Sequence, residues 1–134
     1  MAEILCSTGA LIGKANNRDY HILQRLSGQL QCDGYEFMIY SSWYEEWEVL
    51  ADYLAGLGLH MPVVHCDKRI GENVSYGEDI AQTDSGAMAK FRINCELARR
   101  IGAKSLVIHL WGGMASDQHF ENHLRAYPIL RDMA

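Results

Sequence analysis

Along this chain, short apolar runs alternate with longer stretches whose apolar residues recur every three to four positions. ILCSTG (4–9) predicts a buried strand, and DYHILQRLSGQL (19–30) a helix with Tyr20, Leu23, Leu26 and Leu30 on one stripe. GYEFMIY (34–40) predicts a second strand. WYEEWEVLADYLAGLGL (43–59) follows as a helix with Trp43, Trp47, Leu50, Leu54 and Leu57 facing inward and Gly58 as its stop. HMPVVHC (60–66) is the third strand, and a polar segment, 67–84, reads as a long binding loop or lid. A third helix is expected over about 85–101, lined by Met88, Phe91, Cys95, Ala98 and Ile101, with Gly102 behind it. SLVIHL (105–110) predicts the fourth strand. A fourth helix runs from about His119 to the end, with Phe120, Leu124, Tyr127 and Leu130 as its stripe and Ser116 or Asp117 as its cap.

Four consecutive βα units imply an α/β fold with a parallel sheet and right-handed crossovers. The apolar strands imply that both sheet faces are covered. No linker or low-complexity tract interrupts 1–134, so the chain reads as a single α/β unit. A closed (β/α)8 barrel needs about 250 residues. Four units in 134 residues, with YPILRDMA at the end, therefore read as half of such a barrel, cut short or completed by another chain.

Composition narrows the partners. A net charge of −5 and a pI near 5.6, with no Lys/Arg run longer than two, disfavour nucleic acid. No apolar run reaches the roughly 20 residues that span a bilayer, and MAEILCSTGALIGK lacks the basic start of a secretory signal. A cytoplasmic protein is expected. Cys6, Cys32, Cys66 and Cys95 are widely spaced without a CxxC pair, which predicts reduced core thiols rather than a zinc site.

The candidate chemistry lies at the strand ends. MPVVHCDK (61–68) and SLVIHLWGG (105–113) each place a histidine, His65 and His109, after an apolar run. Ligands bind outside the carboxyl ends of strands in parallel α/β sheets. If the two strands pair in sequence order, the histidines come within about 4.8 Å, close enough to share a metal or grip one substrate oxygen. Glu36, inside the second strand, is costly to bury unpaired. It either points into the barrel mouth or pairs with a cation. Lys68 and Arg69 directly follow His65 and either meet an anion such as a phosphate or form a solvated face.

Other motifs fall away. STGALIGKA (7–15) has three residues between its glycines and Ala15 where a P-loop needs a hydroxyl. HFENH (119–123) lacks the glutamate of the zinc-protease patterns and reads as a solvated helix start. His21 is expected on a helix surface, and His60 shows no convergent partner in the sequence.

The run NCELARRIGAKSLVIHLWGG (94–113) resembles strand four of the xylose isomerase-like barrels, in the branch of sugar-phosphate isomerases and epimerases. ILCSTGAL (4–11), DGYEFMIY (33–40) and VVHCDKRIG (63–71) resemble the first three strands, in order. The resemblance covers the first half of that barrel. It implies a metal-dependent (Mn, Mg or Zn) sugar or sugar phosphate isomerase or epimerase that is inactive as this half alone. His65 and His109 would then bind substrate or complete the metal site, with Lys68 and Glu36 as further substrate contacts. The resemblance places the acid/base carboxylates and a Glu-Asp-His-Glu metal set on later strands. The partner is then a homo-oligomer mate or a missing C-terminal half. Two alternatives stand beside this reading: a non-catalytic half-barrel that self-associates, and an abasic-site endonuclease-like metalloenzyme.

Overall fold

The computed structural model describes residues 1–77, 86–110 and 119–134. Four strands, β1 (Leu5–Ser7), β2 (Gly34–Met38), β3 (Val63–His65) and β4 (Ser105–Val107), form one sheet in the order β1-β2-β3-β4. Every neighbouring pair is parallel. The strands are shorter than the apolar runs that predict them, and His109 lies two residues beyond β4.

The helices are α1 (Ile22–Ser27), α2 (Trp47–Leu57), α3 (Lys68–Ser75), α4 (Gly86–Ile101) and α5 (Phe120–Met133). The first predicted helix shrinks to six residues, and a 3-10 turn over Ser41–Glu46 precedes α2. Gly58 and Gly102 take positive φ (64° and 76°), the left-handed geometry at which a glycine ends a helix without strain. The segment 67–84 is not a bare loop. Asp67 caps α3 by accepting the Arg69 N–H (3.1 Å), while Ile70 and Val74, one helical turn apart, are fully buried. Residues 78–85 of that segment, and the proposed caps Ser116 and Asp117, lie outside the described residues.

Alternation along the strands separates two sheet faces. Tyr35, Phe37, Ile39, Val64 and Cys66 are buried beneath the helices, and Leu106 and Ile108 pack partly into the same cores. The opposite face carries Leu5, Ser7, Glu36, Met38, Val63, His65, Ser105 and Val107. Each of these is half-buried or exposed, and none joins either apolar core among the described residues. The expectation that both faces are covered is therefore corrected: the helices pack on one face only.

The α2 and α4 stripes lie where the periodicity puts them. In α5 the stripe is displaced. Phe120, Leu124 and Tyr127 are more than half exposed, whereas Ala126 and Leu130 are buried. Leu130 lies where the stripe predicts, but the rest of the buried side is made by Ala126, with Ile129 and Met133 packed partly against it, instead of by Phe120, Leu124 and Tyr127.

All four cysteines are free. Cys66 and Cys95 are buried, and Cys6 and Cys32 partly so. Burial, with Cys95 nearby, pushes the Cys66 thiol up to about 12. A raised folded-state value stabilises the fold in full below the unfolded value of 9.0 and is lost as pH climbs toward 12. The urea midpoint is expected to fall over that window, and less steeply in Cys66→Ala. At neutral pH a thiol reagent is expected to titrate Cys6 and Cys32 in the native protein and all four cysteines only in denaturant.

Candidate functional site

A cavity of about 370 Å³ opens at the carboxyl ends of the strands, lined among others by Met38, Tyr40, His65, Asp67 and His109. It is assembled by sheet register. His65 lies level with Met38 on β2 and Val107 on β4. Glu36 is therefore one same-face position below His65, and His109 one same-face position above it on the other side. The three residues form a diagonal across the sheet.

Along that diagonal, His65 Nδ1 lies 2.9 Å from Glu36 Oε1, and both side chains are less than one-third exposed. The carboxylate accepts, so Nδ1 carries the proton of the neutral ring and Nε2 keeps its lone pair. The His65 and His109 ring centres are 4.8 Å apart at 36°. The two readings left open for Glu36 thus resolve into a histidine partner.

His109 is held from below by α3. A Cβ built on Gly71 would fall 1.3 Å from the His109 carbonyl oxygen. Only glycine lets the helix backbone approach the segment after β4 this closely. Since α3 begins three residues after His65, one helix fixes the spacing of both histidines.

The cavity rim is cationic. Arg18, Lys68 and Arg69 line it, and among the described residues none of the three forms an ion pair with an acid. The sequence reading did not single out Arg18. It sits in a turn where Asn17 and Arg18 both have positive φ (56° and 54°), a region that costs a non-glycine residue roughly 1–2 kcal/mol. The turn is held by Arg18 N–H donating to the Gly13 carbonyl (2.8 Å) and by the Asn16 side chain, which bonds Gly13 and Leu11. The guanidinium lies over the Tyr40 ring, 5.2 Å from its centre. Tyr40 is itself tied down by its hydroxyl, which donates to the Ile12 carbonyl (2.6 Å).

Asp67 adds an acceptor. Its Oδ1 caps α3, while Oδ2 is buried without a hydrogen-bond partner. An unmet buried acceptor of this kind costs about 1–3 kcal/mol.

As a metal centre the set falls short. With Nδ1 of His65 engaged by Glu36, the pair offers two ring nitrogens where a catalytic site needs about three protein ligands. Among the described residues no group of three His, Cys, Asp or Glu side chains converges to hold an ion.

The remaining histidines stay apart from the cavity. His21 is exposed and bonded to Asp19 (2.8 Å), as its helix-surface reading expects. His60 does have a partner, since Nε2 lies 3.2 Å from Glu3 Oε2, a contact between distant segments that sequence alone does not reveal. His123 departs from the solvated reading of HFENH, because its Nε2 is buried without a partner.

Three substitutions test this construction. Gly71→Ala is expected to cost roughly 3 kcal/mol, at the upper end of overpacking effects, read from urea denaturation. Glu36→Ala removes the Nδ1 acceptor, so ¹⁵N spectra of neutral His65 are expected to move from the Nδ1–H tautomer toward a mixture. Arg18→Gly removes backbone strain and a cation together. It is expected to leave thermal stability unchanged or raised while weakening anion binding, and a large drop in Tm would contradict the strained-turn reading.

No protein-family model, no curated protein and no solved structure matches this chain.

Proposed function

We propose that this chain is the substrate-gripping half of an isomerase- or epimerase-type (β/α)8 barrel acting on a sugar or sugar phosphate. The carrying observation is the content of one cavity: two adjacent imidazoles, one oriented by Glu36, share it with cations that have no acid partner among the described residues. Imidazole nitrogens suit the hydroxyls and carbonyl of a sugar, and Arg18, Lys68 and Arg69 suit an anionic group. The one-faced helical layer and the sequential strand order support the half-barrel reading, since a barrel keeps its helices outside and its strand ends at one mouth.

In this role His65 Nε2 accepts a hydrogen bond from a substrate hydroxyl, because Glu36 holds the ring proton on Nδ1. His109 contacts the neighbouring oxygen. Lys68 and Arg69, at the first turn of α3, neutralise the anionic end, aided by the helix terminus. A divalent metal in the complete enzyme would supply Lewis-acid stabilisation of charge on the substrate oxygens, and the described residues alone do not make up its ligand set. The described residues thus favour binding without turnover.

Calorimetric titration of the chain with a ketose phosphate, and with the same unphosphorylated sugar, tests the reading. Saturable binding is expected, weaker without the phosphate. His65→Ala and His109→Ala are each expected to weaken it about tenfold, the worth of one hydrogen bond of about 1.4 kcal/mol. Equal binding by the wild type and both variants would refute a substrate role for the pair.

A further inference from the structure

We infer that a second copy of this chain closes the open sheet face, with β4 of each copy pairing alongside β1 of the other. The inference rests on the half-barrel reading above. Both outer edges of the sheet are parallel strands running the same way, so one copy's β4 can extend the other's β1 in the sense already used throughout. A two-fold axis along the barrel makes both junctions at once, giving roughly eight strands, the number at which a parallel sheet closes on a side-chain-filled interior. Closure would also remove both free edges, which otherwise invite uncontrolled pairing.

Apolar surface and charge select this partner. On the β4 side, Phe120, Leu124 and Tyr127 are more than half exposed, and a groove of about 200 Å³ lies between Tyr127, Leu106 and Ile108. On the β1 side, Met1 and Ile4, just ahead of the strand, are exposed apolar residues. The strand register within the copy sets Ser105 level with Ser7. A closed barrel of this type has a total stagger of roughly eight residues, about four for each half, which brings Glu3 of one copy beside Ser105 and Lys104 of the other. Lys104 has no ion pair among the described residues, and Glu3 has only its exposed contact with His60, so the junction offers that acid an uncommitted base.

The site gains by it. His109 is exposed at the β4 edge, and the neighbouring strand end in the closed ring is that of β1. The turn after β1, with the partner subunit's Arg18, would then flank His109 and extend the cationic rim.

Light scattering behind size-exclusion chromatography reads this directly. Twice the chain mass of 15.2 kDa is expected. Glu3→Lys and Lys104→Glu, both at exposed positions, are each expected to raise the dimer Kd at least tenfold, and mixing the two variants to restore a dimer containing one of each in native mass spectrometry. Leu124→Glu, also exposed, is expected to give monomers with an unchanged circular-dichroism spectrum. A monomer at every attainable concentration would overturn the inference, as would a dimer indifferent to Glu3→Lys and Lys104→Glu. Mass is read without ligand, so a dimer that binds no sugar phosphate would fail the functional reading alone, and a sugar-binding monomer would fail this inference alone.

Discussion

Parallel register is the constraint on which the site depends. His65 stands level with Met38 and Val107, so its same-face diagonal neighbours are Glu36 on one side and His109 on the other. Each move from one strand to the next climbs two residues. That slant turns three unremarkable positions into a carboxylate, an oriented imidazole and a second imidazole in reach of one ligand. The backbone carries the geometry, and the side chains supply the chemistry.

Two further devices hold the surroundings in place. α3 is brought against the segment after β4 because Gly71 has no side chain to meet the His109 carbonyl, and the same helix starts from the Asp67 cap just past His65. The turn after β1 spends backbone strain at Asn17 and Arg18 to hold a guanidinium over Tyr40 at the cavity rim. One device works by close approach and the other by strain, and they act on opposite sides of the histidine pair. The cations they present meet an overall acidic chain, so the positive potential at this mouth is local.

Strand order and the α2 and α4 helices are legible in the sequence because their apolar periods run over many residues. α3 is not, because its inward stripe amounts to Ile70 and Val74 among polar neighbours. The usable signal was Asp67 as a cap followed by that one-turn spacing. His65 and His109 could be placed at strand ends from their apolar approaches. The Glu36 partner could not, since a diagonal contact depends on register, which no single strand encodes. Arg18 gave no signal at all, because its place follows from a left-handed turn that neither Asn17 nor Arg18 advertises. The α5 stripe holds only at Leu130, because Phe120, Leu124 and Tyr127 face outward and the inward position taken by Ala126 weighs little in a periodicity.

The alternation in β3 ties core and site together. Val64 and Cys66 point into the apolar cores while His65 points away from them. A slip of one residue would turn His65 into the hydrocarbon and lift Val64 out of it, losing core packing and the Glu36–His65–His109 diagonal in the same step. The cohesion of the core and the geometry of the cavity therefore stand or fall together, and a mispaired β3 would betray itself as a loss of stability.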